Sequence, residues 1–491
     1  MWLRTVVALS WLCTMVLGTP SLTALDHYVQ HDDGCYHFEE LLWNCSGPGW
    51  KGFAWNLTSQ CWQPADVVNR GVWWHVLTVV IPDKFVRHVA PDPTALLYIA
   101  GHNNDGDPIP SANSSDVSLI SRLAVEANVP AALLFQVPNQ PLNFSWDPWH
   151  RAHRTEDAAI AITWWRFLQN QTDPSIVLEF PMTKAAVKAL DALQEILPMY
   201  IGVPVSKFVI AGESKRGWTT WLTGAVESVF RKRARAIVPI VLSAIHVREF
   251  LHRQFEFFGA WSFELGNYYK DNITQSIDDP PFELMMENID PWYYRERLVM
   301  PKLCISAVGD EYQMPDDQKH WAHDLPGETN LLMVKNADHG LSTGLPIVLQ
   351  SFGSFLSSVA AGGRRPNYTW KINETSGELH ITTDKPPSKV TIAYGDSAPG
   401  PEAQRRDFRW ASLATGYRPL YWSTTPITFN TTNSLIIKLP APHVSWAGMI
   451  VEMQWPNSHG PDFYLTSPGL VVPGTRPFPP CKGADCKGTL C

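Results

Sequence analysis

Three residues far apart along the chain have the types and the order of an acyl-transfer site. Ser214 lies in "FVIAGESKRGWTTW", where an apolar run meets a helical one through Gly212-Glu213-Ser214-Lys215-Arg216-Gly217. A serine between strand and helix can stand on a strained turn that exposes its hydroxyl, if its neighbours let the two elements approach closely. Gly212 meets that need. The common pattern puts a second glycine two residues after the serine; here Arg216 holds that position and the glycine is Gly217. The same residues also describe an N-cap serine that satisfies orphan helix N–H groups. Two residues further along the chain favour the nucleophile. Asp310 ends the apolar run "KLCISAVGD" and His339 ends "LLMVKNADH". Both fall at strand C-terminal ends, the edge where open α/β sheets build their sites, in the hydrolase order Ser…Asp…His.

A serine hydroxyl is a poor nucleophile at neutral pH. His339, with an ordinary pKa of about 6.5, can take its proton and return it to the leaving group. Asp310 would fix the imidazole tautomer and stabilise its charged form. Glu311, Asp316 and Asp317 are rival acids, whereas Asp338 is too close in sequence to reach around to the ring. His320 and His323 read as surface residues. The oxyanion needs two donors: the backbone N–H of Lys215, and one from the loop after residues 94–101, at His102 or Asn103. The side chains of Lys215 and Arg216 bring two cations near the site, available to an acidic substrate or to solvent. Glu156 in "RTED" could clamp a peptide terminus, and equally reads as a helix-start carboxylate. No cofactor or metal is implied: there is no HExxH, and the glycines form neither a dinucleotide nor a phosphate loop.

These residues need a scaffold. Short apolar strands near residues 74–82, 94–101, 131–137, 208–211, 236–245, 302–309 and 330–339 alternate with helices at 117–127, 155–168, 185–197 and 345–360. That pattern predicts a parallel sheet covered on both faces, an α/β core over 71–362. Residues 246–300 are too long for a simple crossover and rich in aromatics, which suits a helical cap over the site. Residues 25–70 are rich in Cys and Trp without strong periodicity. Alternation such as "KVTIAY" and "MIVEMQW" within 366–470 predicts an antiparallel β-sandwich, with a Pro/Gly/Cys tail over 471–491 beyond it.

The chain has 491 residues, a formal net charge of −8 and no long basic run, which argues against a nucleic-acid partner. Residues 1–24 read as a signal peptide: Arg4, an apolar stretch, then small residues ending at Ala24. No later run is long and apolar enough for a membrane span. A secreted, extracellular protein is therefore expected, with a small-molecule or cell-surface partner. Nine sequons, at Asn44, Asn56, Asn113, Asn143, Asn170, Asn272, Asn367, Asn373 and Asn430, point to a glycoprotein. Cys35, Cys45, Cys61, Cys481, Cys486 and Cys491 read as three disulfides of open connectivity, with Cys304 a buried free thiol.

The stretches "GESKRGWTTWLTGA", "DPWYYRERLVMPKL" and "GDEYQMPDD…DLPGETNLLMVKNADHG" resemble the PhoPQ-activated pathogenicity-related family, over about residues 25–470. That family includes exported bacterial proteins and a secreted eukaryotic repressor of proliferation. The resemblance implies an α/β-hydrolase fold with Ser214, Asp310 and His339 in the triad positions, and a basic residue at Arg216. A weaker likeness to glucuronoyl esterases suggests uronate esters. The expectation is a secreted serine hydrolase of the esterase or peptidase type, cleaving an ester or peptide bond. The alternative is an extracellular signalling or binding protein on a hydrolase scaffold.

Overall fold

The computed structural model describes residues 21–85, 92–105, 109–111, 113–429 and 433–491. Most of the leader (1–20) and the Asn430 sequon lie outside the described residues. Nine strands form one sheet: β1 (His37–Gly47), β2 (Trp50–Cys61), β3 (Val72–Pro82), β4 (Thr94–Ile99), β5 (Ala131–Leu134), β6 (Lys207–Glu213), β7 (Ala234–Ile240), β8 (Lys302–Ala307) and β9 (Thr329–Val334). Their spatial order is β1-β2-β3-β5-β4-β6-β7-β8-β9. Pairing is antiparallel as far as β5 and parallel from β5 onward. Every residue of β4, β5 and β8 is buried, which is why these strands show continuous apolar runs instead of alternation.

Helices α1 (Ala24–Gln30), α2 (Ser115–Ala127), α3 (Glu156–Gln169), α4 (Glu179–Ile201) and α5 (Lys215–Val229) precede the inserted helices α6 (Val247–Phe258), α7 (Gly266–Lys270) and α8 (Pro280–Ile289), and α9 (Leu345–Ala361) comes after them. Helix α4 starts earlier than the sequence suggested. Pro181 sits in its first turn, where the missing N–H has no helical partner to lose. The segment Ser342–Ala361 is apolar enough by length and composition to cross a bilayer, but 72% of that window is buried inside the fold.

One boundary read from the sequence is corrected. Residues 25–70 are not a separate segment: β1 and β2 continue the main sheet. Register shifts between Glu40 and Asn44 and between Thr58 and Gln60 interrupt the period-two pattern that would have revealed them. Helix α1 is capped by Thr23, whose Oγ1 accepts from Asp26 N while its own N–H donates to the Asp26 carboxylate. A cut after Ala24 would remove that cap.

The three-disulfide reading is also corrected, to two: Cys35–Cys61 and Cys481–Cys486. Cys45 stands on β1 opposite Gly52, half-buried and unbridged. Cys491 is buried with its sulfur 3.2 Å from Arg409 Nη2. Cys304 is a free buried thiol. Non-reducing peptide mapping should therefore recover the two linked pairs, with Cys45 and Cys491 alkylated after denaturation without reductant; a Cys45–Cys491 cross-link would contradict this pairing.

Beyond α9 lie β10 (Tyr368–Asn373), β11 (Glu378–Thr383), β12 (Lys389–Asp396), β13 (Ala411–Ser412), β14 (Gly416–Tyr417), β15 (Ser423–Ile427), β16 (Ser434–Lys438), β17 (Ala447–Trp455), β18 (Phe463–Thr466) and β19 (Leu470–Val472). They form antiparallel sheets, chiefly β10-β11-β16 and β15-β12-β17-β18. This unit docks on edge strand β9: Thr466 Oγ1 accepts from Met333 N at 2.8 Å, and Tyr368 Oη accepts from Leu331 N at 3.0 Å. The tail then returns to the cap. Trp261 N donates to Thr489 O, Cys491 N to Trp261 O, and Phe263 N to Cys491 O.

Six sequon asparagines (Asn44, Asn113, Asn170, Asn272, Asn367 and Asn373) are exposed, while Asn56 and Asn143 are half-buried. Asn56 donates to Glu39 at 3.2 Å, and Asn143 Oδ1 accepts from His153 N at 2.5 Å.

Candidate active site

Ser214 stands between β6 and α5 at φ 56°, ψ −123°, a conformation L-residues rarely adopt, and its side chain makes no cap hydrogen bond. The capping alternative is thereby removed. The flanking glycines explain how the turn fits. A Cβ at Gly212 would lie 2.7 Å from Arg216 O, and one at Gly217 2.8 Å from Ile240 O. Gly217 thus serves the close approach of helix to strand, one position later than the common pattern places its glycine.

His339 Nε2 is 3.0 Å from Ser214 Oγ, and His339 Nδ1 is 2.9 Å from Asp310 Oδ2. The other oxygen of Asp310 accepts the backbone N–H of Tyr312 at 2.8 Å and of Gln313 at 3.1 Å. These bonds fix the carboxylate and aim its second oxygen at the imidazole. Burial alone would push the His339 pKa down, but the charge and hydrogen bond of Asp310 outweigh it and raise the value above 6.5. The ring packs against Tyr312 at 4.6 Å between centroids.

The rival acids are engaged elsewhere. Glu311 accepts the backbone N–H of His339 at 3.1 Å, Asp316 pairs with Arg406, and Asp317 accepts from Met314 N. His320 is half-buried, its pKa lowered to about 3 by desolvation and nearby cations, and His323 lies against Trp370 at 3.8 Å. Of the oxyanion candidates, Lys215 comes directly after the serine as the first residue of α5. His102, at φ 132°, and Asn103 line a separate depression with Gln140 and Glu156, and Asn103 Oδ1 accepts from Gln140 at 2.8 Å.

The two cations are neither free for an acidic substrate nor turned to solvent. Arg216 forks onto Glu156 with two bonds of 2.6 Å and donates to Val137 O at 2.5 Å. Lys215 Nζ lies 2.9 Å from Glu156 and 3.2 Å from Asp157. Burial would raise the pKa of Glu156, yet Arg216 and Lys215 hold it down to about 2. Glu156 is thus spent on these cations and unavailable as a peptide clamp.

Sequence reasoning missed Asp157 as a junction. It accepts from Tyr268 Oη of the insertion at 3.1 Å and from Tyr312 Oη beside the histidine at 3.3 Å. Its only signal was the acidic pair in "RTED". Glu213, exposed beside the serine, accepts from Tyr98 Oη at 2.5 Å. From the insertion 246–300, Val247, Phe250, Leu251, Leu265 and Ile277 line a cavity that opens on Ser214 and His339. Cys481 and Cys486 adjoin His252, but their sulfurs are bonded to each other and offer no thiolate to a metal.

The strand order, with β5 and β4 exchanged, a turn-borne serine after β6, and Asp310 and His339 after β8 and β9, defines an α/β-hydrolase scaffold. The chain belongs to the PhoPQ-activated pathogenicity-related protein family, whose model matches residues 25–409. A relative from Dictyostelium discoideum, autocrine proliferation repressor protein A, is 31% identical over 483 residues, covering 95% of this chain and 94% of that protein. Among solved structures, the acetyl xylan esterase from Paenibacillus sp. R4 is similar at a TM-score of 0.45 and 14% identity, over 68% of this chain and 91% of that one. Acetyl xylan esterase 1 from Thermoanaerobacterium sp. JW/SL YS485 gives a TM-score of 0.41 at 14% identity, with the same two coverages of 68% and 91%.

Proposed function

We propose that this protein is a secreted, glycosylated serine hydrolase that cleaves small-molecule esters through an acyl-enzyme. The observation that carries the reading is the chain of two hydrogen bonds, Ser214 Oγ to His339 Nε2 at 3.0 Å and His339 Nδ1 to Asp310 Oδ2 at 2.9 Å. His339 takes the Ser214 proton as Oγ attacks the ester carbonyl, and the oxyanion forms at the Lys215 N–H. The imidazolium then protonates the departing alcohol. Water, activated by the same imidazole, releases the acid and restores the serine. Ester is preferred to peptide because Glu156, the one candidate clamp for a peptide terminus, is committed to Arg216.

A fluorophosphonate probe tests the reading. The wild-type protein should label at Ser214, and Ser214→Ala should not label while folding normally. A second reading is favoured by the relative named as a proliferation repressor: an extracellular signalling protein on this scaffold, with little or no catalysis. Absence of labelling in folded, glycosylated wild type would select it.

A further inference from the structure

We propose that the cavity under the cap is an acyl pocket for a short apolar acid, making propionyl- to hexanoyl-sized esters the preferred substrates. This rests on the serine-hydrolase reading. The cavity opens directly on Ser214 and His339. The acyl group is the part of the substrate that stays bonded to Oγ between the two half-reactions, and a cavity lined by Ser214 gives it a place to lie. Its walls come from Trp218 on α5, Ala244 after β7, Val247, Phe250 and Leu251 on α6, and Ile277 before α8.

The polar side chains in the wall are committed to other protein groups. Lys215 lies between Asp157 and Glu156, at 3.2 Å and 2.9 Å. The hydroxyls of Tyr268 and Tyr312 both donate to Asp157. Gln313 bonds to Val241 O and to Ser243. A carboxylated, amino-bearing or hydroxyl-rich acyl group would exchange its water for walls whose polar atoms already have partners, an unfavourable transfer. This runs against the uronate esters that the sequence likeness suggested. Size sets the other limit. The cavity measures about 90 Å³, below the roughly 150 Å³ of an apolar cavity that admits benzene. It therefore takes a few methylenes and stops a long chain.

The test uses the secreted full-length protein and p-nitrophenyl esters of acetate, butyrate, hexanoate and decanoate, with a methyl glucuronate ester alongside. Each buried methylene gives about a fourfold gain in kcat/KM, so butyrate should exceed acetate by on the order of tenfold, and decanoate should fall away. Ala244→Phe should move the optimum to acetate, and Leu251→Ala should move it to longer chains. The wild-type profile decides the matter even if both variants misfold. A flat profile, a steady decline from acetate, or a preference for the uronate ester would overturn the acyl pocket while Ser214 still labels with fluorophosphonate. Neither labelling nor turnover of any ester would overturn the hydrolase reading and the pocket together.

Discussion

His339→Ala should lower ester turnover by about 10⁴- to 10⁶-fold, the loss seen when the base of a serine triad is removed. Folding should survive it. The ring makes its two bonds to Ser214 and Asp310, and after its removal Asp310 Oδ1 keeps the N–H groups of Tyr312 and Gln313. Leaving Oδ2 short of one donor costs about 1–3 kcal/mol, a shift of a few degrees in Tm for a chain of this size. Kinetics and a melting curve on the same preparation check this. Failure to be secreted, or a collapse in Tm, would make His339 a structural residue. The wild-type pH profile supplies the sign. Catalysis needs neutral imidazole, and the Asp310 carboxylate raises the His339 pKa above 6.5 despite burial. Activity should therefore be full above that raised value and fall as pH drops through it. Asp310→Asn should move the acid limb downward while also lowering kcat.

Trp261→Ala should destabilise the protein by about 3–5 kcal/mol, the usual cost of deleting a buried Trp, and should free the C-terminal tail. Trp261 is wholly buried. Its backbone pairs with Thr489 and Cys491, and its indole N–H donates to Cys486 O at 2.8 Å. The tail also reaches the cap through Gly483 N to Asp278 at 2.8 Å and Phe478 N to Glu256 O at 3.0 Å. Limited trypsin digestion reads the effect directly. Lys482 and Lys487 are exposed but lie in backbone pinned to the cap, so wild type should resist cleavage there, whereas Trp261→Ala should be cut quickly, releasing residues 488–491 while the Cys481–Cys486 bond retains 483–487. Equal cleavage rates would show that the tail does not depend on this anchor. Because the cap lines the cavity, a freed tail should also blunt acyl-chain selectivity.

The alternating short strands and helices of the central region were legible because burial on both faces demands continuous apolar runs, as in β4, β5 and β8. The hairpin β1–β2 was not, because register shifts break its alternation. The tail's cysteines suggested an appendage. Only the folded chain shows it returning some 220 residues in sequence to Trp261, a contact no local pattern encodes.

The sequence by itself determined the residue types and chain order that make proton transfer from Ser214 to His339 possible, and the strand ends that carry them. These are local properties: apolar runs, glycines at turns and side-chain chemistry. Tertiary structure alone decided which partners each charge takes. It joined Lys215 and Arg216 to Glu156, left Cys45 and Cys491 without a disulfide, and chose Asp310 over Glu311 for the imidazole. The physical reason is that electrostatic and hydrogen-bonding choices depend on distances of a few ångströms between segments far apart in the chain.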